Sequence, residues 1–139
     1  MQYPVIIEKD GNSFMASFPD IPEALTAGDT YEEALTAAQD ALVTAFEFYF
    51  EDNRSVPAPS KIKDAKDFIE VPPSIWAKVI LLNTMLEKRV NHSELARKIG
   101  STRQEVQRIT DLRHATKIDT LHAALKVMGK QLVVEALPF

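Results

Sequence analysis

The chain contains no cysteine. Disulfides, zinc–thiolate sites and cysteine catalysis are therefore excluded. No apolar run approaches the ~20 residues that a membrane-spanning helix needs. The start, MQYPVIIEKDG, lacks a basic segment followed by a small-residue cleavage site, so it does not read as a signal peptide. A cytoplasmic protein is expected, without membrane attachment. Basic residues are scarce in the first half. Residues 1–70 hold 5 Lys/Arg against 14 Asp/Glu, a net of −9, whereas residues 71–139 hold 11 against 6, a net of +5. The overall charge of −4 conceals this division. Such asymmetry suggests two modules with different partners. The basic half can approach phosphates, and the acidic half repels nucleic acid but attracts a basic protein. The plainer alternative is an acidic face that is merely solvated. With 45% hydrophobic residues, one or two modest cores can form in 139 residues.

The chain divides at Pro72-Pro73, which predicts domains at 1–71 and 72–139. In the first, Tyr3, Val5 and Ile7 alternate against Pro4, Ile6 and Glu8, the pattern of a strand. Asp10-Gly11-Asn12 marks a turn, and SFMASF reads as a second strand with Phe14, Ala16 and Phe18 on one face. PDIPEALTAGD reads as a loop, with a short strand around Ala24 to Ala27. Tyr31, Leu35, Ala38, Leu42, Ala45 and Tyr49 then recur at spacings of three or four, predicting a helix capped by Asp29 or Thr30. A polar, proline-containing surface connection follows, and DFIEV returns as a strand. The expected fold class is α+β, with one main helix on a short sheet.

In the second half, Ile75, Val79, Leu82 and Leu86 define a helix with Ser74 as its expected cap. HSELARKIGSTRQEVQRI then reads as two helices with a tight turn at Gly100. Asn91 with Glu94, and Ser101 with Gln104, fit the capping-box spacing. Leu95, Ala96, Ile99, Val106 and Ile109 form the apolar positions. Thr116 with Asp119 is expected to cap a further helix bearing Leu121, Ala124, Leu125 and Met128, which Gly129 ends. The final KQLVVEALPF reads as a terminal strand. A lone strand leaves its backbone unpaired, so Leu132, Val133 and Val134 are expected to pair with a second copy and make a dimer.

The paired helices resemble the helix-turn-helix of phage-repressor-type DNA-binding domains. That resemblance makes the second of them, from about Thr102 to Leu112, a recognition helix. Its outward face carries Thr102, Arg103, Gln104, Gln107 and Arg108. Arginine bonds guanine bidentately and glutamine does the same with adenine, so these are the candidate base-reading residues. His92, Ser93, Arg113, His114 and Lys117 are the candidates for contact with the DNA backbone. A polar solvent face is the bland alternative. The scarcity of acids there, Glu105 and Asp111 only, favours DNA.

Catalytic readings find less support. Asp10, Asp20, Asp29 and Asp40 could serve a two-metal nuclease only if they converged. Turn and cap roles for Asp10 and Asp29, and a solvent-facing Asp40, fit their positions better. His92, His114 and His122 lack the close pairing of a zinc or catalytic site, and His122 reads as a surface helix residue. No metal, no cofactor and no enzymatic activity are expected.

The first half resembles the HicB antitoxin family, through its YPV start and FPDIPEALTAGDTYEEALTAAQDAL. The second half resembles the helix-turn-helix form of that family, through EVPPSIWAKVILLN, ELARKIG and HATKID. The resemblance implies a partial ribonuclease-H-like N-terminal domain that binds and silences HicA, a small mRNA-cleaving ribonuclease. It implies a C-terminal domain that binds operator DNA as a dimer and represses the operon. The toxin-contacting residues stay unassigned within the acidic domain. A transcriptional regulator that senses a ligand or another protein, with no toxin partner, is the alternative.

Overall fold

The computed structural model describes residues 1–61 and 64–138. The chain forms two compact units, Met1–Trp76 and Ala77–Phe139, in a mixed α+β architecture.

In the first unit, β1 (Gln2–Asp10) and β2 (Ser13–Ser17) form a hairpin with Asp10 opposite Ser13. Gly11 turns the chain with φ 61°, a left-handed backbone that glycine adopts without a Cβ clash. β3 (Leu25–Gly28) adds to β2, and β4 (Asp67–Glu70) adds to β1. The sheet order is β3-β2-β1-β4, with every pair antiparallel. α1 (Tyr31–Glu51) lies on one face and packs on all four strands. Its buried Ala34, Ala38, Leu42, Ala45 and Phe46 meet a sheet face that buries Tyr3, Val5, Ala16 and Phe18. Alanines at that spacing let the helix approach closely. Thr30 caps it, with the Glu33 N–H donating to Thr30 Oγ1 (3.1 Å). The Asp29 N–H in turn donates to Glu33 Oε2 (3.0 Å). Gly28 has no room for a side chain, because a Cβ there would lie 2.5 Å from the Ala34 nitrogen.

The stretch after α1 is better anchored than an ordinary surface connection. Tyr3 Oη donates to the Pro57 carbonyl (2.6 Å), Ser60 donates twice to Asp20 Oδ2, and Val56 is buried. The part of this connection at residues 62–63 lies outside the described residues.

α2 (Pro73–Lys88) begins with a proline at its first position, where no amide hydrogen is needed. The N–H groups of Ile75 and Trp76 both bond the Pro72 carbonyl. Ser74 therefore sits inside the first turn and is not the cap. In the second unit, α3 (His92–Ile99) is capped by Asn91, whose Oδ1 accepts from the Glu94 N–H (2.8 Å). It ends at Gly100 with φ 68°, where the Ser101 N–H returns to the Ala96 carbonyl (2.9 Å). α4 (Arg103–Thr110) is capped by Thr102 and not by Ser101. The Glu105 N–H donates to Thr102 Oγ1 (3.1 Å), so the cap falls one residue later than the Ser101–Gln104 spacing suggests.

α5 (Ile118–Lys126) buries Leu121, Ala124 and Leu125, and Gly129 terminates that region with φ 82°. Its cap position is Lys117, with no side-chain capping bond. Thr116 Oγ1 is buried without a hydrogen-bond partner, so Thr116 does not cap α5. Lys130–Pro138 carries no regular secondary structure. The strand expected over 130–139 is not formed within one chain, and among the described residues no neighbouring strand pairs with this segment. Phe139 lies outside the described residues.

Candidate functional site

The basic unit builds its exposed face from the inside outward. Leu95 and Ala96 of α3, Val106 and Ile109 of α4, and Leu121 and Leu125 of α5 are all buried. This core holds α4 along one side. Arg103, Gln104, Gln107 and Arg108 are left exposed on the other. Their spacing of i, i+1, i+4 and i+5 places them in one stripe opposite Val106 and Ile109. Thr102 differs from them, since its hydroxyl is engaged as the α4 cap. Arg108 Nη1 lies 3.3 Å from Glu105 Oε2, with both side chains largely exposed. Such a surface pair contributes little and is easily exchanged for another anion.

His92 is half-buried in the first turn of α3. Burial holds its pKa below the usual 6.5, and the positive charge of Arg103 adds to that. The imidazole is thus neutral near pH 7 and stands beside the start of α4. Ser93 is half-buried in the same turn, and Arg113, His114 and Lys117 are exposed between α4 and α5. The Arg113 N–H donates to Asp111 Oδ1 (3.0 Å), which tightens that turn.

One residue that sequence pattern does not single out organises this region. Lys78 on α2 is only 1% exposed. Its Nζ donates to the carbonyls of Arg108 (3.2 Å), Asp111 (2.7 Å) and His114. These carbonyls close α4 and begin the next turn, where helix carbonyls lack partners and the dipole is negative. Burial lowers the lysine's pKa, while the Asp111 charge acts in the opposite direction. The ammonium thus pins the end of α4 while its outward stripe stays free. A lysine within an apolar helix pattern reads as a surface residue, so nothing local signals this role.

The expected pairing residues sit in the C-terminal tail. Leu132 is half-buried and its N–H donates to His122 Nδ1 (3.3 Å), whereas Val133 and Val134 are 75% and 77% exposed. His122 is half-buried and anchors this tail, unlike the plain surface residue expected. The four aspartates do not converge. Asp10 ends β1, Asp20 holds Ser60, Asp29 bonds Glu33 through its backbone, and Asp40 is mid-α1. Among the described residues, no group of three or more His, Asp or Glu side chains is placed to hold a metal ion. Nor is any described helix long and apolar enough to cross a membrane.

Over nearly its whole length the chain is similar to known proteins. Residues 2–80 match the family described as HicB-like antitoxin of bacterial toxin–antitoxin systems. The chain is 58% identical over 137 residues to Antitoxin HicB 2 of Photorhabdus laumondii subsp. laumondii, covering 99% of this chain and 97% of that one. It is 51% identical over 133 residues to Antitoxin HicB of Escherichia coli K12, covering 95% and 96%. Antitoxin HicB of Pseudomonas fluorescens is 37% identical over 134 residues, covering 96% and 92%. The protein is thus an antitoxin of a toxin–antitoxin system. Within that class, the chain belongs to the HicB-like family.

Proposed function

We propose that this antitoxin neutralises an mRNA-cleaving ribonuclease of the HicA type and represses its own operon as a DNA-bound dimer. Residues 1–71 are assigned to toxin binding and residues 72–139 to operator binding and dimerisation, divided at the Pro72-Pro73 pair. The N-terminal unit corresponds to the partial ribonuclease-H-like domain and the α3–Gly100–α4 region to the helix-turn-helix. The protein acts by binding in the cytoplasm, without catalysis or a cofactor.

The observation that carries the DNA assignment is the exposed stripe of Arg103, Gln104, Gln107 and Arg108 over buried Val106 and Ile109. Two arginines and two glutamines on one short helix can read base edges in a major groove. Thr102 stands at the helix N-terminus beside them. His92 and Ser93 in the first turn of α3, and Arg113, His114 and Lys117 between α4 and α5, supply contacts to phosphates, with neutral His92 acting as an N–H donor. Leu132, Val133 and Val134 supply the dimer contact, because a tail without regular secondary structure, with Val133 and Val134 exposed, can gain a partner strand. Two copies then occupy half-sites about one helical turn apart.

Operator binding with point variants tests this reading. Gln107→Ala should cost about 1–3 kcal/mol on the operator and little on scrambled DNA, whereas Lys117→Ala should weaken both alike. Equal losses on both DNAs for Gln107→Ala would remove its reading role.

A further inference from the structure

We propose that the toxin docks on the face of the N-terminal sheet that α1 leaves bare, an assignment that rests on the toxin-binding reading above. Strand alternation gives the sheet two faces. One carries Tyr3, Val5, Ala16 and Phe18 and is covered by α1. The other carries Ile6 of β1, Leu25 of β3 and Phe68 of β4, which are 44%, 58% and 45% exposed. Their register makes them neighbours. Ile6 and Leu25 both stand opposite Ser17 of β2, one on each side, and Phe68 stands opposite Pro4, two residues before Ile6. Antiparallel sheets with one open face ordinarily present polar residues there. A band of large apolar side chains across three strands marks an interaction surface instead. A concavity of ≈ 240 Å³ adjoins it, lined among others by Pro4, Ile6, Pro19 and Ala65.

Charge selects the occupant. The same face carries Glu8, Asp10 and Glu70 by alternation, and the one cation in the strands, Lys9, alternates onto the other face. Lys66 at the concavity is flanked by Asp64 and Asp67. A second copy docked here by two-fold symmetry would set acids against the same acids. Nucleic acid would be repelled in the same way. A basic protein with an apolar patch would cover the band and offset the rim. A ribonuclease must hold a polyanion, so the surface it offers here is the one that would otherwise hold RNA.

The full-length chain and the product of a candidate toxin gene, a short basic reading frame to be sought beside its own, co-expressed and purified, test this. Titration and RNA cleavage are measured for wild type, for Leu25→Lys with Phe68→Lys, and for Phe48→Lys. Phe48 is 54% exposed on α1 and serves as the control. The paired sheet variant should bind at least about 30-fold more weakly and release RNA cleavage, as loss of a central apolar anchor does. The Phe48→Lys variant should inhibit like wild type. Should the paired variant lose its fold by circular dichroism, Glu8→Lys with Glu70→Lys decides by the same weakening. Wild-type affinity in the folded sheet variants would overturn the docking face while leaving the toxin reading intact. So would a change in sedimentation of the free protein, which would assign the face to a second copy. If the wild-type chain neither binds nor inhibits that product, the toxin reading itself fails, and the docking face with it.

Discussion

In the acidic unit, shape is set by apolar packing and by backbones in close approach: alanines of α1 on the sheet, and Gly28 beneath the first turn. In the basic unit, the helices are short and their ends are held by polar contacts. Asn91 and Thr102 cap α3 and α4, Gly100 turns between them, and Lys78 gathers three carbonyls at the end of α4. A 21-residue helix on a sheet buries enough surface to hold itself in place, whereas helices of eight residues are marginal without their ends satisfied. The lesson is that the two units should fail under different substitutions.

The largest separation is expected at Lys78. Lys78→Met keeps the length and apolar stem but leaves the carbonyls of Arg108, Asp111 and His114 without their donor. Loss of such buried, charge-assisted bonds should cost about 2–4 kcal/mol. Hydrogen exchange should show faster opening of α4, with α1 and the β1–β2 hairpin unchanged. Equal loosening of both units, or none, would break the contrast.

Gly28→Ala attacks the other unit. Its new Cβ would meet the Ala34 nitrogen at 2.5 Å and the Glu33 carbonyl carbon at 2.8 Å. Backbone atoms cannot rotate away, so β3 or α1 must shift, at about 1–3 kcal/mol. The urea midpoint followed by α1 amides should fall while α4 protection stays the same. A variant as stable as the wild type would show that the two elements can separate without strain.

How much of this is readable in the residues depends on how local the determinant is. The alternation at Tyr3, Val5 and Ala16, the α1 spacing, the Asn91 cap and the Gly100 turn are short-range patterns, and the structure has them. At Ser101-Thr102 two capping residues stand side by side, and only the backbone path chooses Thr102. Ser74 fails as a cap because α2 already begins at Pro73, and the Pro72 carbonyl accepts the first-turn N–H groups of Ile75 and Trp76. Lys78 joins residues 30 to 36 positions away, a distance over which no periodicity speaks. The terminal strand rests on alternation alone, but a strand's existence depends on a neighbour. The exposed α4 stripe follows from helical period once Val106 and Ile109 are taken as core.

The smallest effect concerns acid, and it should still order the two units. His92 has a folded pKa held below 6.5, by burial first and then by Arg103. As pH falls below 6.5 the unfolded chain takes up this proton first, so stability present above 6.5 is lost downward through the folded value. In the acidic unit, Glu23 is held below its ordinary 4.5, first by the Tyr49 hydroxyl and then by Arg54. Its contribution is present above 4.5 and lost only as pH falls further. Between these values the basic unit should loosen alone. Protection factors for α4 amides should drop as the pH is lowered from 7 through the ordinary histidine value of 6.5 while those of α1 hold. In His92→Gln, with no titrating ring at that position, the drop should vanish. An α1 that loosens first, or a drop that survives His92→Gln, would mean that acid sensitivity does not divide along the same boundary as packing.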